Sequence, residues 1–354
     1  MADTLHWIVP GSLHQRTGGY IYDRRIVEGL ITLGRPVQVH ELAGRFPEAN
    51  DEAIEAAGVA VDNIGQDMAV IDGLALPAFV DHIDRLSGEW IGLIHHPLSM
   101  ETGLSVAEIK QIAAIEGPLM RRATRLVVTS PGTCRDLAGF DIDPGGVAVV
   151  LPGVEPARLA RGSGGERPRE LLTVGSLTRR KGHLTLLEAL SRLLDLDWNL
   201  NLVGSAAWDP EYAAGIGKTV TDLGLSKRVA LVGEQDEDGL DAFYDGADLF
   251  VLASHHEGYG MVLTEALAHG LPIISTTAGA IPETVPAAAG RLVAPGDAEA
   301  LAGALRQVLT DGDLYHRLEA GASGARATLS SWSEAAQRFA MIIDRAASAE
   351  VIAR

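Results

Sequence analysis

The stretch Ala247-Asp248-Leu249-Phe250-Val251-Leu252-Ala253-Ser254 and the nearby Glu257-Gly258-Tyr259-Gly260-Met261-Val262-Leu263-Thr264-Glu265-Ala266 decide the fold. The first segment is apolar without alternation, the pattern of a strand buried on both faces in a parallel sheet. The second opens a helix at its two glycines, and the helix runs up to Gly270. Glu257 therefore stands in the loop at the carboxyl end of a strand, with Glu265 on the first turns of the helix that follows. Gly258-Tyr259-Gly260 lets a ligand approach the backbone closely. The helix start offers unpaired N–H groups and a partial positive charge, which suit a phosphate. Two hydroxyl-grasping carboxylates flanking such a helix start fit a nucleotide attached to a sugar.

The same alternation of strand and helix extends in both directions. Upstream, strands are expected at residues 5–9, 37–42, 69–71, 90–94, 126–129 and 147–151, with a first helix at 20–33 that stops at Gly34. Residues 153–169 change character, with Pro156, Gly162, Gly164, Gly165 and Pro168 crowded among arginines, and read as a linker. Strands resume at 170–174, 199–203, 229–232, 249–253, 272–275 and 290–293, and a long helix from Trp332 to about Ile352 closes the chain. The fold class is α/β with parallel sheets in two halves, and ligands in such sheets collect beyond the carboxyl ends of the strands.

Composition bounds the partners. The chain has 354 residues, enough for two domains, and a net charge of −18 spread over both halves. Neither half has a basic face, so nucleic acid and anionic lipid are not expected as partners. The run Met120-Arg121-Arg122-Ala123-Thr124-Arg125 reads as a helix C-terminus carrying favourable cations. A lone cysteine, Cys134, excludes an intrachain disulfide and suits a reducing cytosol. It lies in an apparent helix without a marked basic partner and does not read as a nucleophile. The first residues lack a charged region followed by a long apolar core, and no run is long enough to span a bilayer. Neither a signal peptide nor a transmembrane segment is expected, and the oligomeric state is left open.

In the second half these stretches occur in order: Val174-Gly175-Ser176-Leu177-Thr178-Arg179-Arg180-Lys181-Gly182, Leu202-Val203-Gly204, Val232-Gly233, Ala247-Asp248-Leu249-Phe250-Val251, the Glu257–Glu265 element and Gly279-Ala280-Ile281-Pro282-Glu283. In this series the second half resembles the retaining, GT-B-fold glycosyltransferases of family 4. The first half is similar more loosely, through Gly18-Gly19, His95 and Val128-Thr129-Ser130. The resemblance implies two Rossmann-like domains with parallel sheets facing across a cleft. Residues 1–152 would form an acceptor domain, 153–169 a linker and 170–333 a nucleotide-sugar domain, with residues 334–354 returning as a helix to the first domain. The implied activity is transfer of a hexosyl group from a UDP- or GDP-sugar to a hydroxyl on a small molecule or glycan, without metal or cofactor, in the cytoplasm. A nucleotide-sugar epimerase of the same fold and a non-catalytic nucleotide-sugar-binding protein are the alternatives.

The resemblance also implies roles. Glu265 would accept hydrogen bonds from the ribose hydroxyls, and Glu257 would face the transferred sugar. Backbone around Tyr259, Gly260, Met261 and Val262 would hold sugar and phosphates, with Val232 in the donor site. Lys181 would neutralise the diphosphate and stabilise the charge left on it. Ser176 stands where the family usually has an arginine, so Arg179 or Arg180 would have to reach the phosphate instead. Gly19, with Gly18, would let the first half approach the diphosphate or acceptor, and His95, with His96 as the alternative, would lie near the reacting sugar.

Several motifs read as coincidence. Gly217-Lys218-Thr219 lacks the upstream glycine and strand of a phosphate-binding P-loop. Asp141-Ile142-Asp143, Asp195-Leu196-Asp197, Asp236-Glu237-Asp238 and Asp311-Gly312-Asp313 are too many in an acid-rich chain to mark a metal. Adjacent histidines at His95-His96 and His255-His256 point apart, and no third ligand has metal spacing. The first strand is not followed by the glycine pattern of a dinucleotide dehydrogenase.

Overall fold

A computed structural model describes residues 4–164 and 169–353, with side chains up to residue 346. Met1, Ala2, Asp3, Arg354, and Gly165 and Pro168 of the expected linker lie outside the described residues. The chain divides into two compact units, residues up to Gly153 with Ser330 onward, and Val154–Leu329.

The first unit is a parallel sheet of β1 (Leu5–Pro10), β2 (Val37–Leu42), β3 (Ala69–Asp72), β4 (Trp90–Ile94), β5 (Arg125–Val128) and β6 (Val147–Val149). Their order is β2-β1-β3-β4-β5-β6, so the winding reverses between β1 and β3. β1, β3 and β4 are buried at every position, as expected of short β-branched and aromatic runs covered on both faces. The Trp332–Ala353 helix packs on the Gly18–Thr32 helix. Small residues allow it: a Cβ at Gly29 would lie 2.4 Å from Ala336 Cβ. Phe339, fully buried, then reaches Trp7 at a ring separation of 5.2 Å. Burying a phenylalanine contributes about 2–3 kcal/mol.

The second unit contains β7 (Glu170–Val174), β8 (Asn199–Val203), β9 (Val229–Gly233), β10 (Leu249–Leu252), β11 (Ile273–Thr276) and β12 (Gly290–Val293), all parallel. The order β12-β11-β10-β7-β8-β9 puts the reversal between β7 and β10. Residues before β7 are docked on this unit rather than free. Ala160 N–H donates to His269 O at 2.8 Å, and buried Asp248 accepts from the N–H groups of Ser163, Arg169 and Glu170.

Two details differ from expectation. The first helix begins at Gly18 rather than residue 20, because Gly18 and Gly19 adopt helical rather than left-handed backbone and form its first turn. A Cβ at Gly19 would sit 3.2 Å from His95 Cδ2, tighter than ordinary contact, so glycine lets the helix start lie against that ring. The helix after Gly182, which sequence places at residues 184–194, runs His183–Ser191. The Asp-x-Asp pairs have local partners: Asp236 and Asp311 cap helices, Asp143 accepts from Gly145 N–H, and Asp195 pairs with Arg306. Gly217-Lys218-Thr219 lies inside the Pro210–Asp222 helix. Among the described residues no helix is long and apolar enough to cross a membrane.

Candidate functional site

In the second unit the loops that follow β7 and β10 meet where the strand order reverses, the usual ligand position in such sheets. Gly182 sets their approach. It is left-handed, with φ of 67°, and a Cβ there would lie 1.9 Å from Ala253 O, so only glycine fits. His255 N–H then donates to Arg180 O at 2.7 Å and ties the loops together.

This brings Lys181 and Arg180 to Glu257. Lys181 Nζ lies 2.7 Å from Glu257 Oε1 and Arg180 Nη1 lies 3.3 Å from Oε2. Ser254 Oγ donates to Oε1 at 2.6 Å, and Arg180 also donates to His256 O at 2.8 Å. Glu257 is 4% exposed. Burial alone would raise its pKa, but the charges of Lys181 and Arg180 and the hydrogen bonds from Lys181 and Ser254 outweigh burial and bring it down to about 2. Arg179 turns elsewhere, to Asp209 at 3.5 Å and over the Tyr212 ring. Of the two arginines, Arg180 is the one directed to the Lys181–Glu257 cluster.

The Met261–Ala268 helix starts beside this cluster. Its N-cap is Gly260, at φ 88°, with no capping side chain and no acid in the first turn. The His183–Ser191 helix likewise starts on a glycine without a side-chain cap. Four other helices of the unit, starting at Pro210, Glu237, Ala298 and Gly312, are each capped by an aspartate. The single turn Ile281–Thr284 after β11 also lacks a side-chain cap; of the longer helices, the two uncapped ones follow β7 and β10, where N–H groups are left for an anion. One turn on, Glu265 accepts from Tyr244 OH at 2.8 Å. Burial raises the Glu265 carboxyl above its usual range, while Tyr244 and Lys181 pull it down less strongly.

Ser176 is half-buried in the loop after β7, and Val232 is the next-to-last residue of the edge strand β9, two strands from β7. Tyr259 O accepts from Thr284 Oγ1 at 2.9 Å, which holds the glycine loop down.

In the first unit the reversal between β1 and β3 is also occupied. His95, just beyond β4, lies between Asp23 of the Gly18–Thr32 helix and Asp72 at the end of β3. His96 turns away to Glu101, at 3.3 Å. Asp23, Asp72 and His95 place three side-chain atoms of ligand type within 4.8 Å of one another, a grouping that the spacing of the histidine doublets does not show. Linear spacing could not reveal this, because the parallel sheet assembles the group from three separate segments.

Residues 160–324 match the family model described as glycosyl transferases group 1. That stretch, just under half of the chain, is similar to group 1 glycosyl transferases. Over 318 residues the chain is 26% identical to the MMP alpha-(1->4)-mannosyltransferase of Mycolicibacterium hassiacum, covering 85% of this chain and 76% of that protein. Alignments to the next curated relatives span only 42 to 61% of their lengths. Among solved structures, sucrose-phosphate synthase from Thermosynechococcus elongatus is 21% identical with a TM-score of 0.84, covering 98% of this chain and 100% of that one. Anabaena HepE, solved with UDP and glucose, is 16% identical with a TM-score of 0.79, covering 97% and 100%. The two parallel six-stranded sheets, matched by these structures, make the fold GT-B.

Ser254 and Tyr244 of the second unit, and Asp23 and Asp72 of the first, escape a reading by motif. Two carried a signal. Asp23 is an acid on the buried stripe of its helix, among Tyr20, Ile26, Val27 and Leu30, and Asp72 closes an otherwise apolar strand.

A left-handed glycine supports Glu257 from behind. Gly279 has φ 56°, a Cβ there would lie 2.2 Å from Glu257 O, and the next N–H donates to that oxygen. Gly279→Ala is expected to cost about 2–4 kcal/mol in urea unfolding, from strain and displacement together. Gly233→Ala, at φ 83° with open space, is expected to cost about 1–2 kcal/mol, from backbone strain alone. Equal losses in the two variants would show that the Glu257 loop does not depend on that contact.

Proposed function

We propose that the chain transfers a hexosyl group from a nucleoside-diphosphate sugar, on uridine or guanosine, to a hydroxyl acceptor, with retention at the anomeric carbon and without a metal ion. The observation that carries this reading is the pair of uncapped helix starts at the reversal of the second sheet, beside Lys181, Arg180, Glu257 and Glu265. Helix N–H groups and the Lys181–Arg180 pair supply fixed positive charge for a diphosphate, both in binding and as the sugar departs. Glu265 has the acceptor oxygens for ribose hydroxyls, and Glu257 those for the sugar. The relatives' printed names, a mannosyltransferase and a protein solved with UDP and glucose, support a sugar donor of this class. Val232 and Ser176 are assigned to the donor, and Gly19 and His95 of the first unit to the acceptor and the reacting sugar. With Glu257 neutralised by two cations, deprotonation of the acceptor falls to the departing phosphate. We place the protein in the cytosol, where its single cysteine stays reduced.

Thermal melts against UDP- and GDP-hexoses test the donor. The matching donor is expected to raise the melting point with concentration. That donor with a panel of hydroxyl acceptors, in chelator-treated buffer, is then expected to give a glycoside of unchanged anomeric configuration. An epimer formed from the donor alone would replace this reading with epimerisation. Binding with neither transfer nor slow donor hydrolysis would leave a sensor.

A further inference from the structure

His95 is gripped from two sides. Its Nε2 lies 3.2 Å from Asp23 Oδ1 and 3.3 Å from Asp72 Oδ2, and these acids are 0% and 4% exposed. The rest of the ring is also confined. Gly19 lies against its Cδ2 edge, and the Tyr22 ring meets it edge-on at 5.3 Å. Thr129 and Thr133 hydroxyls donate to His95 O, fixing the backbone. Nδ1 makes no hydrogen bond among the described residues, and the side chain is 20% exposed. One nitrogen is therefore locked between acids, and the other is left for a ligand.

Charge counting narrows the protonation state. A neutral imidazole would leave two buried carboxylates facing each other, which is costly. A protonated ring leaves one surplus charge, and a proton on one acid removes it. Asp23 is the acid that takes it. Burial first, then the charge of Asp72, pushes its pKa up to about 8, and its buried Oδ2 has no partner, which a neutral carboxyl tolerates far better than a carboxylate. Burial would also raise Asp72, yet His95 and a hydrogen bond with Asp23 hold it below its usual value. Burial would lower His95, but both acids lift it to about 10. The other titratable neighbours, Tyr20 and Tyr22, are pushed up by burial and stay neutral.

We propose that Asp23 and Asp72 are positioning residues that hold His95 as an imidazolium, its Nε2–H fixed between them and its Nδ1–H presented to the substrate oxygen that gains negative charge during transfer. This rests on His95 serving the transfer proposed above. A rigid, permanently charged donor adds stabilisation where charge develops, without reorganisation during the reaction. Asp72 supplies the countercharge, and Asp23, neutral, completes the cage.

The full chain labelled with ¹⁵N-histidine, followed by long-range proton–nitrogen spectra across pH, tests the protonation state. The His95 signals are assigned by their loss in His95→Gln. In the unchanged protein both nitrogens are expected to keep their protons up to about pH 9, against about 6.5 for a free ring. Asp72→Asn is expected to bring the titration down by about two pH units or more, whereas Asp23→Asn, which mimics a neutral carboxyl, leaves His95 charged at neutral pH. In kinetics, Asp72→Asn is expected to lower kcat about tenfold or more, with the loss deepening as pH rises through the new titration, while donor KM stays within about twofold. A His95 that titrates near 6.5 in the unchanged protein overturns the proposal. So does loss of the Nε2–H signal on adding manganese or zinc chloride, which would make the cluster a cation site. The titration of the unchanged protein needs neither a variant nor turnover, so failure to find transfer would count against the proposed function alone.

Discussion

Lys181→Met is expected to lower folding stability by on the order of 3 kcal/mol and transfer by about 10²-fold or more. The stability loss arises because Glu257, 4% exposed, loses its nearer cation and keeps Arg180, at 3.3 Å, and the neutral Ser254 hydroxyl. Removing one partner of a buried pair leaves the other charge undercompensated, which costs more than the pair itself contributes. Glu257→Gln added to Lys181→Met should therefore restore much of the stability while leaving transfer lost, and urea unfolding of the two singles and the double measures this coupling. The pH dependence has a fixed sign. The folded pKa of Glu257, about 2, lies below its ordinary 4.5, so its contribution is complete above about pH 4.5 and is lost as pH falls towards 2. Lys181→Met should show a shallower loss across that interval. Parallel acid-unfolding curves for the variant and the unchanged protein would remove the pair as a source of stability.

Glu265→Ala is expected to weaken donor binding by about 10- to 100-fold, the worth of one or two charge-assisted hydrogen bonds, with a much smaller effect on folding. Folding is spared because Tyr244 OH, which donates to Glu265 at 2.8 Å, also lies 3.3 Å from Val262 O and keeps an acceptor. Glu265→Gln keeps a partner for Tyr244 and two hydroxyl-directed groups but loses the charge, so its affinity should fall between the two. Burial raises the Glu265 carboxyl, so affinity should increase as pH rises through its titration, because hydroxyl donors favour the ionised form. Nucleotide titrations by calorimetry with each variant would decide this. Undiminished affinity in Glu265→Ala would remove Glu265 from the donor site.

The fold was legible because its signals are local. Leu249–Leu252 or Ile273–Thr276 declares itself as strand from a few apolar neighbours, and Gly34 as a helix stop. The second-unit site was legible for the same reason, since Glu257, Gly260 and Glu265 sit within one loop and two turns of helix. What stayed hidden depends on pairing across the sheet. Lys181 and Glu257 are 76 residues apart, and no spacing rule says that they share a proton's width of space. The direction of Arg179 and Arg180 depends on the tight 3₁₀ turn Arg179–Lys181, which sends neighbouring side chains to Asp209 and Glu257 respectively. Asp23 and Asp72 lie further from motif logic still, one inside a helix and one closing a strand, joined only once β1, β3 and β4 align.

The polypeptide leaves its first unit after Gly153 and re-enters it at Ser330. In gene terms the second unit is a cassette inserted into the first. A single uninterrupted coding fragment, Val154–Leu329, holds every strand of the second sheet, but none that omits the cassette encodes the first sheet together with the helix covering Trp7. Replacing the second unit with another thus calls for two junctions, one on each side of the cassette, and a graft made at the upstream junction alone would also replace the helix that seals the first unit's own core.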